Sequence, residues 1–156
     1  MDTTTPKKRF IGIDPGSSGG LAWRDENGAV SAIKMPETEG DVLQLLTGFK
    51  QTAYVVILEE VGGYVGKAQP GSAMFKFGRH TGFLIGVIMA LGFRLEMVRP
   101  QKWQKPLGVG TSGNCASKTE WKNKLKALAQ RKFPGVSVTL STSDALLIMD
   151  YAEQYC

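Results

Sequence analysis

The sequence predicts an α/β domain built on a mixed five-stranded sheet, three antiparallel strands followed by parallel ones, with helices on both faces. Three observations carry that prediction. The opening part of the chain alternates apolar and polar residues in three short runs joined by turn residues. Residues 53–58, AYVVIL, form an uninterrupted β-branched run of the kind buried on both sides of a sheet. Segments of helical period then alternate with short strands, the order that leads to parallel pairing.

Taken in order, residues 9–14, RFIGID, form a first strand through Ile11 and Ile13, and residues 19–24 resume the pattern after a Pro-Gly turn. Asn27-Gly28 marks a hairpin into a third strand at 30–35. Pro36 and the polar ETEG end this meander, and residues 41–49 place Val42, Leu45, Leu46 and Phe49 at helical spacing. After the AYVVIL strand and a glycine-rich loop, residues 74–92 read as a helix closed by Gly92. Gly82 and Gly86 share one side of it, where small residues would allow close packing on the sheet, and Phe75 and Phe77 read as core. FRLEMV is a short strand, and Pro100 opens a helical turn, PQKWQ, in which Trp103 is a packing anchor. Ser117-x-x-Glu120 matches a capping box for a helix with Trp121, Leu125, Leu128 and Ala129 inward. Pro134-Gly135 ends it, and residues 141–144 open a last helix with Ala145, Leu146, Ile148 and Met149 as its apolar surface.

The chain of 156 residues is the size of one domain, 1–156, with residues 1–8 a polar tail. Its 42% hydrophobic and 21% charged residues are globular values. Cys115 and Cys156 have neither metal-ligand spacing nor the look of a disulfide framework, which points to a reducing compartment. The start is polar and then basic, and the longest apolar run, FLIGVIMALGF, is too short to span a bilayer. The expectation is a soluble, cytoplasmic protein without a membrane partner; a trimmed organellar form would read the same.

Charge is distributed unevenly. The net charge is +5, yet residues 99–132 hold nine basic residues against the single acid Glu120, so that segment is +8 and the remainder −3. A solvated helix face has this composition, and so does a surface that binds a polyanion.

Two predicted strands run into carboxylates, Asp14 and Glu59. If the first and fourth strands are parallel neighbours, both emerge at the same carboxyl-end edge of the sheet, where α/β sites gather. Asp144, at the start of the last helix, is the natural third member. Such carboxylates repel one another unless a hard divalent cation accepts them. Each also has a structural reading: Asp14 as a turn residue before Pro-Gly, Glu59 as the start of a polar loop, Asp144 as the acid of a capping box from Ser141. All three being structural is the less economical account.

The ordered segments IGIDPGSSGGLA, VVILEE, MFKFGRHTGFLIGVIMALGF, RPQKWQK, SKTEWKNKLKALAQRKFPG and SDALLIMDYA resemble the RuvC-type Holliday-junction resolvases of the ribonuclease-H-like nuclease superfamily, particularly the short phage-encoded and organellar branch. The resemblance covers residues 10 to about 155. It implies a metal-dependent phosphodiester hydrolase using Mg²⁺ or Mn²⁺, two ions per site, that cuts four-way DNA junctions by symmetric paired incisions. Under it, Asp14 bridges the metals, Glu59 and Asp144 are further ligands, and Lys118 approaches the scissile phosphate, with Glu60 beside the ligands. It places Tyr64 near the branch point, and the reading adds Lys67, Arg79, Lys102, Lys105, Lys118, Lys122 and Lys126 as contacts to DNA. His80 reads as a helix residue rather than a base.

Two-fold symmetric cutting implies a homodimer, with the helix over 77–91 as interface, although the same apolar residues also suit a core that faces the sheet. One departure stands out. Many family members carry an acid or a His shortly before the position of Asp144, where this chain has Ser141. That leaves a second reading, a junction-binding protein with a degraded metal site. The IDPG motif also occurs in ATP-binding folds of the actin and sugar-kinase type, but those need two such domains around the nucleotide, and no nucleotide cofactor is expected.

Overall fold

The computed structural model describes residues 7–62 and 71–156. Strands β1 (Arg9–Asp14), β2 (Gly20–Arg24) and β3 (Val30–Lys34) form the antiparallel meander, and β4 (Tyr54–Glu59) and β5 (Arg94–Val98) extend it in parallel. The strand order is β3-β2-β1-β4-β5, so β1 and β4 are parallel neighbours at the centre. The turn between β2 and β3 is held by Asp25, whose Oδ1 accepts from the backbone N–H groups of Asn27 and Ala29. Gly28 supplies the left-handed residue, at φ 86°.

Because side chains alternate across a strand, the sheet has two cores. Ile11, Ile13, Leu21, Val56 and Leu58 face α1 (Glu39–Thr47), through Val42 and Leu46, and α2 (Gly71–Ala90), through Leu84 and Ile88. Phe10, Ala22, Val55 and Ile57 face the other way, toward α3 (Pro100–Gln104), α4 (Lys118–Lys132) and α5 (Ser143–Tyr155). α5 is buried on nearly every side from Ser143 to Met149, wedged between the sheet and α4, which explains why its apolar residues form no narrow stripe.

The structure corrects three expectations. Gly82 and Gly86 do not pack on the sheet: a Cβ added at either, or at Gly78, would meet nothing within 4 Å among the described residues. Phe75 is not core but 72% exposed, whereas Phe77 is half-buried with its ring near Gly16. Phe75, Gly78, Gly82, Gly86 and Met89 share the face of α2 opposite Leu84 and Ile88, because the helical period returns at those spacings. The third correction concerns the start of α5. Its N-cap is Thr142, which makes no side-chain capping bond, so Ser141 and Asp144 form no capping box. The box predicted for α4 does exist. Ser117 Oγ accepts from the Glu120 N–H at 3.1 Å, and Glu120 Oε2 returns the bond to the N–H of Ala116.

Candidate active site

The carboxylates reach one place by strand parity. Phe10, Gly12 and Asp14 alternate onto the α5 face of β1, and Val55, Ile57 and Glu59 onto the same face of β4. Parallel register, with Gly12 beside Ile57, carries Asp14 and Glu59 to the same edge. Asp144 arrives in the first turn of α5, and two glycines decide how near that helix can lie. A Cβ on Gly12 would collide with the Ala145 carbonyl oxygen and lie 2.7 Å from the Met149 nitrogen. A Cβ on Gly20 would lie 2.5 Å from the Ser141 carbonyl oxygen. Gly12, two residues before Asp14, and Gly20, six residues after it, thus admit α5 and the backbone leading into it against β1 and β2.

All three carboxylates are buried, Asp14 at 9%, Glu59 at 7% and Asp144 at 4% exposure. Burial, with the charges of Asp144 and Glu59, pushes the Asp14 carboxyl up to about 8. Glu59 is pushed up to about 7, first by burial and then by Asp144, although two groups oppose the rise. One is Trp103, whose indole Nε1–H donates to Glu59 Oε2 at 2.6 Å. The other is Lys122, whose Nζ lies 2.8 Å from Asp144 Oδ2. Burial pulls the Lys122 ammonium down, but attraction to Asp144, and then to Asp14 and Glu59, outweighs it and holds the group above the ordinary lysine value. Lys122 is thus the cation of the cluster.

A divalent metal suits this donor set in kind. The donors are hard carboxylate oxygens, and Asp144 Oδ1 is buried without a hydrogen-bond partner among the described residues, an acceptor that a cation would satisfy. Among the described residues, however, no three His, Cys, Asp or Glu side chains converge closely enough to share one ion as they stand. The positive charge is supplied instead by Lys122.

The other predicted residues are distributed around this edge. Lys118 is exposed at the first position of α4 and makes no salt bridge among the described residues; Lys122, one helical turn further along, is the lysine that reaches the carboxylates. Lys126 lies half-buried one more turn along. Lys102 and Lys105 line an open groove of about 770 Å³ with Glu60 and Arg99, immediately beyond Glu59, and Arg99 Nε is 3.7 Å from Glu60 Oε2. On the other side of Asp14 a groove of about 540 Å³ is lined by Gly16, Ser17, Lys34, Lys76, Phe77 and His80. Arg79 stands on α2, across the sheet, 3.4 Å from Glu39. Ser141 is half-buried beside Gly20. Asp150 is turned away from the cluster and pairs with Lys132 at 3.1 Å. Tyr64 and Lys67 lie outside the described residues.

Sequence reasoning missed the links made by Trp103 and Lys122. A buried indole needs an acceptor for its N–H, and a lysine four residues after Lys118 shares its helix face, so both signals were present in the chain.

No protein-family model matches the chain, and no curated protein matches it in sequence. Solved structures do. Thermus thermophilus RuvC matches with a TM-score of 0.57 and 19% identity over 92% of both chains. T. thermophilus RuvC in complex with Holliday junction substrate matches with a TM-score of 0.62 and 15% identity over 93% of this chain and 92% of that one. At these identities the likeness is one of architecture, and it extends through the meander, the central parallel pair and the flanking helices: the chain has the ribonuclease-H-like fold of RuvC.

Proposed function

We propose that this protein is a structure-selective endonuclease that resolves four-way DNA junctions. The observation that carries the reading is the burial of Asp14, Glu59 and Asp144 at one sheet edge, since a chain tolerates such mutual repulsion where a function needs it. The RuvC fold, in one case bound to a Holliday junction, supports the substrate class.

Asp14, Glu59 and Asp144 would hold Mg²⁺ or Mn²⁺, two ions in the full arrangement. Bound there, the metal would supply Lewis-acid stabilisation of the phosphoryl oxygens and lower the pKa of a water nucleophile. The chain's own contributions are separable. Burial and mutual repulsion raise Asp14 to about 8 and Glu59 to about 7, so near neutral pH the pair holds its full negative charge only where a cation compensates it. Lys122 brings a positive charge to the position where a phosphate would approach Asp144, and Lys118 stands one turn earlier on the same face. Lys102 and Lys105, in the groove beside Glu59, would position a DNA arm through its phosphates without reading bases. The exposed face of α2, with Phe75, Met89 and three glycines open to close approach, would form the homodimer contact that symmetric incision requires.

The test is a labelled synthetic four-way junction incubated with the protein in Mg²⁺, Mn²⁺ or EDTA, beside Asp14→Asn, with binding and cleavage resolved separately. Paired nicks that need metal and disappear in Asp14→Asn are expected. Junction binding without cuts in either metal would favour the second reading, a junction-binding protein, which the serine at position 141 supports. Ser141→Asp would then be the variant to examine for restored cutting.

A further inference from the structure

The strand β5 ends at Val98, which is paired with Glu59 at the end of β4. Pro100 starts α3 at once, and this single turn of helix carries Trp103 back beneath the sheet edge. Trp103 is completely buried and packs in the core shared with Val55, Ile57 and α5. Packing alone needs only a large apolar side chain. The indole does more, because its Nε1–H is directed onto Glu59 Oε2 at 2.6 Å, a short contact between two buried groups.

We propose that Trp103 is a positioning residue for metal capture by Glu59. The proposal rests on the active-site reading given above and extends it to a residue outside the carboxylate set. With Oε2 accepting from the indole, the carboxylate is held in one orientation, which would leave Oε1 as the oxygen for a cation. Outer partners of this kind orient the ligating group, and their removal typically costs roughly 10- to 100-fold in metal affinity. A glutamate side chain without it has three rotatable bonds and no fixed plane.

Two measurements test this on the full chain. The first compares Mn²⁺ affinity, by the electron paramagnetic resonance signal of free Mn²⁺, for wild type, Trp103→Phe and Glu59→Gln. Junction binding in EDTA serves as the check that each variant is folded. Trp103→Phe should bind Mn²⁺ about tenfold more weakly while holding the junction within about twofold of wild type. The second needs no variant fold beyond peak assignment: in ¹⁵N-labelled wild type, Mg²⁺ should move the Trp103 indole N–H resonance further than those of Trp23 and Trp121. Unchanged Mn²⁺ affinity in folded Trp103→Phe, or a Trp103 resonance indifferent to Mg²⁺ in a protein that binds it, overturns the proposal. Failure of wild type to bind Mn²⁺ at millimolar concentration would remove the active-site reading itself, and the proposal with it.

Discussion

Replacing Asp14 by asparagine should make the metal-free protein more stable, and the gain should grow with pH. In the folded chain the Asp14 carboxyl titrates at about 8, against 3.8 for an ordinary aspartate, chiefly because it is buried and then because Asp144 and Glu59 repel its charge. Between those two values the unfolded chain has released a proton that the folded chain retains. The folded pKa is the raised one, so stability is full below the unfolded value and declines as pH rises toward the folded value. The slope is about 1.4 kcal/mol per pH unit, which accumulates to about 5 kcal/mol by pH 8. Asparagine has the same shape and no proton to lose, so it escapes this cost. Urea unfolding in EDTA should therefore give free energies for wild type and Asp14→Asn that approach each other near pH 4. By pH 8 the variant should lead by several kcal/mol. Saturating Mg²⁺ or Mn²⁺ should narrow the gap, because a cation that binds only the folded wild type adds its binding free energy to stability. A difference that is flat from about pH 4 to pH 8 would refute the argument that burial and repulsion at Asp14 oppose folding.

Three further outcomes are expected. Gly12→Ala should destabilise the protein by about 3 kcal/mol in thermal or urea unfolding, since its methyl group meets the backbone of α5 rather than a side chain that can turn aside. Met89→Glu should leave the fold intact and convert the proposed dimer to monomer by light scattering, because it charges the outward face of α2 without touching Leu84 or Ile88. Lys102→Gln with Lys105→Gln should weaken junction binding and reduce the slope of log affinity against log salt by about 1 for each phosphate that is no longer neutralised.

Most of the architecture was legible because periodicity reports burial. The β-branched run at 53–58 did form a strand covered on both faces, and the alternation of Ile11 and Ile13 with Gly12 and Asp14 did divide β1 between two cores. The shared edge of Asp14 and Glu59 followed from parity and parallel register alone. What failed were inferences about direction within a helix. Gly82 and Gly86 mark one face of α2, but small residues suit both close packing on a sheet and an open surface, and only the positions of Leu84 and Ile88 decide between them. Phe75 was misassigned for the same reason: hydrophobicity alone does not say which way a residue on a mostly apolar helix points. The start of α5 was shifted because Ser141, Thr142 and Ser143 can all cap a helix in sequence, whereas the Thr142 hydroxyl accepts from the Thr139 N–H instead of the helix. The need of the Trp103 indole for an acceptor and the shared face of Lys118 and Lys122 were legible, but which carboxylates they meet is fixed by the tertiary placement of α3 and α4.

The seating of α5 on Gly12 also governs when the site comes into being. Asp14 lies on β1 and Asp144 on α5, some 130 residues later in the chain, and the two meet only through long-range docking of α5 on β1 and β2. Contacts so distant in sequence form late, after the meander and the β4–β5 pair can already have closed. A nascent chain that has not yet added α5 therefore carries the basic residues of α3 and α4 before it has a complete set of carboxylates.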